Sequence, residues 1–225
     1  MQIDTIRLGF LVGQLNGLMP IATDVSCTYL HGSNNEKVYM KAGLKFGPLQ
    51  GRLLMIKKSI YGLHRSGAAW HEVLTDMLRM LGYTPSYTDP NFWIKDCSTH
   101  YKYIATWVDD LIHWSKNPMK LIKIVEQIFP LKGTGIPEYY LGGNVDRISW
   151  EKSHDGYTFT LSARTYITQI CKKIEKLFEV ELHHYGSPME ANCHPEVDES
   201  PFLPELMILK YQMLVGCANW VVMLG

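Results

Sequence analysis

Residues 101–114 read YKYIATWVDDLIHW, and this stretch decides the fold. Tyr101 to Val108 is rich in aromatic and β-branched residues, Leu111 to Trp114 continues the apolar pattern, and two aspartates separate the runs. The pattern predicts strand, acidic two-residue turn, strand, with Asp109 and Asp110 at the tip of a tight hairpin. Taken alone, Val-Asp-Asp reads first as a polar turn, because aspartate favours turns through local hydrogen bonds. The other reading is negative charge held at a rigid sheet edge. Asp24 ends a second short apolar strand, Ile21 to Val25. If the two strands are neighbours, three carboxylates converge, and divalent cations are what would offset their repulsion. Two metals so held stabilise both the attacking and the leaving oxygen of an in-line phosphoryl displacement.

Working outward, residues 5–19 place Ile6, Phe10, Gly13 and Gly17 beside Leu8, Leu11, Leu15 and Leu18, which predicts a buried helix ending near Pro20. Gly32 to Asn35 is a turn cluster, Lys37 to Met40 a strand, 43–51 a loop, and Leu53 to Ile56 an apolar run. From Ala68 to Leu81 the residues Trp70, Val73, Leu74, Met77, Leu78 and Leu81 recur at helical spacing and stop at Gly82. Asn91 to Lys95 is a strand, and 118–129 a helix with Pro118 in its first turn. Tyr139 to Leu161 forms a hairpin around His154, Asp155 and Gly156, and Ser162 caps a helix that carries Tyr166, Ile170, Ile174 and Phe178. Residues 186–204 hold Pro188, Pro195, Pro201 and Pro204 and read as a linker before a last helix at 205–224.

Composition sets bounds. At 225 residues, 46% hydrophobic and 20% charged, the chain has the make-up of an ordinary globular protein. Lys plus Arg equals Asp plus Glu at 22 each, so a nucleic-acid partner must be held by local patches, not by a global field. Lys57, Lys58, His64 and Arg65 form one such patch; Lys172, Lys173 and Lys176 read as a solvated helix face. The odd, dispersed cysteines and the lack of a signal pattern point to reduced thiols and an intracellular, cytoplasmic protein. The apolar stretches 8–22 and 211–225 carry Gln14, Asn16, Gln212 and Asn219 and fall short of a bilayer, so no membrane partner is expected. Cys193 with His194, and His183 with His184, lack the paired spacings of a structural zinc site.

Several segments, in order, resemble the reverse transcriptase domain of copia-type retrotransposons. DVSCTYLHG at 24–32 resembles the first aspartate motif, with Tyr29 in the aromatic position. KSIYGLHRSGAAW at 58–70 resembles the second, with Ser59, Tyr61, Gly62, Leu63, Ala69 and Trp70 matching; Arg65 and Gly67 stand where glutamine and proline are usual. WVDDL at 107–111 resembles the paired-aspartate hairpin, with Trp107 in place of the usual tyrosine, and TDP at 88–90 the Asp-Pro before the preceding strand. PEYYLGG at 137–143, SARTYI at 162–167, SPM at 187–189 and YQMLVG at 211–216 resemble later segments.

The resemblance implies an α+β polymerase palm, an antiparallel β-sheet backed by helices, with incomplete fingers and a C-terminal connecting region. It implies partial fingers and palm at 1–185, the linker at 186–204, and at 205–225 a helix leading toward a downstream region, so that the chain is expected to be a fragment or truncated product. Asp24, Asp109 and Asp110 would be catalytic and, with Val25, would bind two Mg2+ ions, Mn2+ being the alternative. Tyr29 would exclude a 2′ hydroxyl, and Tyr61, Gly62, Arg65 and Trp107 would complete the substrate site. An RNA template, a DNA primer and deoxynucleotides would be the partners, and a virus-like particle the setting. Two other readings share the palm: an inactive remnant that at most binds nucleic acid or a partner, and a metal-dependent nuclease or cyclase.

Overall fold

Alternation along the quoted hairpin builds a sheet with two covered faces. The computed structural model describes residues 2–149, 151, 156–187, 197 and 199–224. The turn residues His154 and Asp155, most of the proline-rich stretch, and Cys193 with His194 lie outside the described residues. In chain order the elements are α1 (Ile3–Leu15), β1 (Met19–Val25), α2 (Thr28–His31), β2 (Tyr39–Lys41), a 3-10 segment (Leu44–Leu49), β3 (Leu53–Met55), α3 (Ser66–Met80), β4 (Thr84–Pro85), β5 (Phe92–Asp96), β6 (Tyr101–Trp107) and β7 (Asp110–Ser115). They continue as α4 (Pro118–Glu126), β8 (Leu131–Gly135), β9 (Tyr139–Tyr140), β10 (Gly143–Ser149), β11 (Tyr157–Ser162), α5 (Arg164–Phe178) and α6 (Glu205–Leu224). This is the expected mixture of helices and antiparallel strands.

The chain divides into two compact units. The first, Met1–Pro137 with Ser149–Thr158, is built on a six-stranded sheet in the order β4-β5-β6-β7-β1-β8. Successive side chains of β7 point to opposite faces. Leu111 faces a core made by Trp70, Leu74, Met77 and Leu78 of α3, Val125 of α4, and Val25, Trp93, Ile104 and Phe129. Full burial of each such side chain contributes about 1.5–3 kcal/mol. Trp114 faces the other way, against α1, where a Cβ on Gly9 or Gly13 would come within 2.7 or 2.6 Å of its indole. The two glycines therefore form a groove that only a residue without a side chain can supply. Phe10 meets the same indole edge-on at 5.4 Å. Asp89, from the TDP segment, ties down the start of α1 by accepting from Gln2 N–H at 2.9 Å and Thr5 Oγ1 at 2.7 Å. Burial pushes its carboxyl up, but the bonds from Thr5, Gln2 and Asn91 outweigh this and hold it below the usual range.

The second unit, Glu138–Ile148 with Phe159–Gly225, holds the three-stranded sheet β11-β10-β9 together with α5 and α6. Within it, Arg164 pairs with Asp146 at 3.1 Å and Thr165 N–H donates to Asn144 Oδ1 at 2.9 Å, fixing the start of α5 against β10.

Four local expectations change. The two-residue turn is Val108–Asp109, because Asp110 already pairs with Trp107 as the first residue of β7. Ser162 ends β11 and makes no cap; Ala163 is the residue before α5, and Asn144 supplies the capping oxygen instead. The strand β8 was not visible in the sequence: LKGTG has two glycines and no apolar alternation. Finally, α6 runs from Glu205 to Leu224 as expected, and its 20 residues are long and apolar enough to cross a membrane, which the 211–225 stretch alone is not. Lys210 of this helix donates to Leu177 O at 3.2 Å and lies over the Phe178 ring. Cys27, Cys97, Cys171 and Cys217 are free thiols.

Candidate active site

Strand register assembles the acidic cluster. In β1 and β7, which are antiparallel neighbours, Asp24 lies directly opposite Asp110. Side chains so placed have Cβ atoms about 5 Å apart, and like charges there repel. Asp109 joins them from the turn, and its carbonyl accepts from Val25 N–H at 2.9 Å, locking the hairpin tip to the end of β1. Val108 has φ of +53°, a left-handed conformation that a β-branched residue adopts only under constraint, at a cost of about 1–3 kcal/mol. The constraint is Trp70: its buried indole Nε1–H donates to Val108 O at 2.5 Å. Trp70 packs edge-on against Phe129 at 5.2 Å, and His31 closes the group at 4.9 Å from Phe129. Thus the Ala-Trp end of the second segment holds the hairpin that presents the aspartates.

Charge in the cluster is only partly balanced. Burial, then Asp109, then Asp24 push the Asp110 carboxyl up to about 6, against the opposing pull of Lys132. Lys132 is the residue that sequence reasoning missed. It lies on β8 opposite Asp24, its Nζ 3.2 Å from Asp24 Oδ1, and the carboxylate raises its pKa in turn. No motif points to it; a lysine between glycines and threonine in an unrecognised strand carries no signal.

The remaining candidates fall into two groups. Tyr29, on α2, packs against Tyr61 with ring centroids 4.6 Å apart and planes tilted by 59°, and Tyr61 lies within electrostatic reach of Lys132. Tyr29, Trp107 and Val108 also line a cavity of about 260 Å³ with Gly67, Trp70 and His71. Trp107 and Val108 remain 38% and 46% exposed, so the hairpin tip presents apolar surface beside its carboxylates. Gly62 sits in the turn before α3 with φ of +92°, which accounts for glycine there. Arg65 does not join the acidic cluster: it lies 3.7 Å from Glu36 and lines a separate cleft with Asn34 and Glu72. Lys57, Lys58, His64 and Arg65 are all exposed, as a basic surface patch requires.

Carboxylate oxygens suit hard divalent cations. Among the described residues no group of three or more His, Cys, Asp or Glu side chains is placed closely enough to hold a metal ion by itself. The cluster nonetheless fits such ions in kind: it is an excess of like charge with a raised carboxyl, relieved at one oxygen by a lysine ammonium that marks where a cation is favoured.

Comparison with known proteins agrees with this architecture. A family model described as reverse transcriptase (RNA-dependent DNA polymerase) matches residues 1–182. The chain is 26% identical over 214 residues to the Transposon Ty1-DR4 Gag-Pol polyprotein and to the Transposon TyH3 Gag-Pol polyprotein, both of Saccharomyces cerevisiae. Each match covers 88% of this chain and 12% of the polyprotein, so the chain spans only a small part of these relatives. No solved structure matches. The chain belongs to the reverse transcriptase (RNA-dependent DNA polymerase) family.

Proposed function

We propose that this chain is the RNA-directed DNA polymerase part of a copia-type retrotransposon polyprotein, adding deoxynucleotides to a primer 3′ hydroxyl on an RNA template. The observation that carries the reading is the cross-strand pairing of Asp24 with Asp110, beside Asp109 on a tip held by Trp70. In this reading Asp24, Asp109 and Asp110, with the backbone of Val25, hold two Mg2+ ions. When bound, such ions favour deprotonation of the primer hydroxyl and neutralise the departing pyrophosphate. The chain's own groups orient and select. Tyr29, fixed by its packing against Tyr61, meets the sugar and rejects a 2′ hydroxyl by clash. The exposed surface of Trp107 supports the primer end, Tyr61 and Gly62 shape the floor, and Arg65 with its basic neighbours meets template phosphate. Lys132 holds the Asp24 carboxylate in place until a divalent ion takes over. Residues 1–185 form the polymerase region, and the helix after the 186–204 stretch leads to further domains of the polyprotein. The working site is intracellular, within a virus-like particle.

Magnesium-dependent primer extension on an RNA template tests this reading. Extension by the wild-type chain, lost in Asp110→Asn, is expected, and Tyr29→Val should admit ribonucleotides. Extension that persists in Asp110→Asn contradicts the metal assignment. Silence of the wild-type chain together with RNA binding would favour a non-catalytic remnant.

A further inference from the structure

At the end of the six-stranded sheet away from the aspartates, a second like-charge pair is built into the register. Lys95 of β5 lies directly opposite Lys102 of β6, an arrangement that costs stability unless something offsets it. Lys102 precedes Trp107 by five residues along β6, so this site lies about 17 Å from the acidic cluster at roughly 3.4 Å per residue. Lys120 of α4 joins the two strand lysines around a cleft of about 130 Å³, whose lining also includes Tyr83, His113 and Asn117 and no carboxylate. Among the described residues none of the three lysines makes an ion pair. Lys95 spends one N–H on Leu81 O at 2.6 Å and lies 5.7 Å above the Tyr83 ring, which leaves its charge facing the cleft.

The floor is polar and buried. His113 is 2% exposed, and its Nε2 shares a 3.1 Å hydrogen bond with the Tyr83 hydroxyl. Its Nδ1 has no hydrogen-bond partner of normal geometry. The nearby Pro118 backbone favours the charged ring, but burial and Lys102 outweigh it and push the imidazole down to about 3, so the ring is neutral. With the tyrosine hydroxyl donating to Nε2, the ring proton sits on Nδ1, beside the Pro118 backbone. The nine-residue helix α4 also starts here: Asn117, which precedes its first turn and makes no side-chain cap, and Lys120 both line the cleft, which sets the positive end of the helix dipole beside it.

We infer that this cleft binds a phosphoryl group, held by Lys95, Lys102 and Lys120 at the start of α4 over the buried Tyr83–His113 pair. A helix start with converging lysines is an established way of binding a tetrahedral oxyanion. The volume is well below the roughly 300–1,000 Å³ of pockets that enclose drug-sized ligands, so the site takes the phosphoryl group and leaves any attached nucleoside outside. The phosphate comes either from a nucleic-acid backbone or from a free phosphate compound. The site does not depend on the polymerase reading, because it shares no residue with the acidic cluster.

The test uses the full chain and inorganic phosphate in thermal unfolding, against chloride at matched ionic strength. At phosphate ten times its Kd, a Tm rise of about 3–6 °C is expected. The rise should be lost in Lys102→Gln/Lys120→Gln and retained in Lys102→Arg/Lys120→Arg, which keeps the charge and reports on folding. Nuclear magnetic resonance shifts confined to His113 and the first turn of α4 should accompany binding. A single-stranded oligoribonucleotide that displaces phosphate identifies a backbone phosphate as the source; phosphate that stays bound in its presence identifies a free compound. No phosphate-specific rise, or an equal rise in the Gln double variant, overturns the inference.

Discussion

The two ends of the six-stranded sheet each oppose like charges across neighbouring strands, Asp24 with Asp110 at one end and Lys95 with Lys102 at the other. The ends handle that repulsion differently. At the acidic end a half-buried carboxyl rises to about 6 and Lys132 reaches in from β8 to share the charge. At the basic end no carboxylate among the described residues answers the lysines, and burial together with Lys102 keeps His113 neutral. Sheet register that places like charges face to face costs about 0.2–1 kcal/mol per pair, so two such pairs on one sheet point to ligands of opposite sign.

The comparison can be broken at its anchors. The largest expected effect is at the acidic end: Trp70→Ala should cost about 3–5 kcal/mol, because it empties a core position and releases the strained Val108 tip. Urea denaturation measures this, and a loss under 1 kcal/mol would mean the tip is held by other contacts. At the basic end, Tyr83→Phe removes the partner of buried His113 Nε2 and should cost about 1–3 kcal/mol in the same assay.

The next effect has the opposite sign. Asp110 has a folded pKa of about 6 against 3.8 for the free side chain. Its contribution to stability is therefore fully present below about pH 4 and is lost as pH rises through about 6. Asp110→Asn, always neutral, should stabilise the metal-free chain at pH 7 by about 1 kcal/mol, after allowance for screening of a half-exposed group, and the gain should vanish near pH 4. Melting in EDTA at the two pH values checks it; a gain equal at both pH values would rule out charge as the cause. The smallest effect is at Lys132. Lys132→Met should lower stability only slightly at pH 7 in the same urea assay, and by less still in high salt, because the ammonium it removes is solvent-exposed.

Much of this architecture is legible in the residues. Apolar and β-branched runs mark β1, β5, β6 and β7, and the 3.6-residue recurrence from Trp70 to Leu78 marks α3, because burial on one face imposes those periods. The aspartates are legible as a group only through the flanking strands, since two carboxylates in a turn have many other uses. What escaped is what depends on long-range pairing. Nothing in LKGTG announces a strand, so Lys132 could not be matched to Asp24. The turn lies one residue earlier than the aspartate pair because Trp70, far away in sequence, holds Val108 O in place. Lys95 and Lys102 read as two ordinary surface lysines until the β5–β6 register sets them opposite each other.

Metal binding tests most directly the divalent-cation site proposed for Asp24, Asp109 and Asp110. Titration of Mn2+ into the purified chain, followed by electron paramagnetic resonance and competed with Mg2+, should show binding that is lost in Asp24→Asn and in Asp110→Asn. Lys132→Met should keep that binding and tighten it, because the competing ammonium is gone. Unchanged Mn2+ binding in both Asn variants would contradict the account.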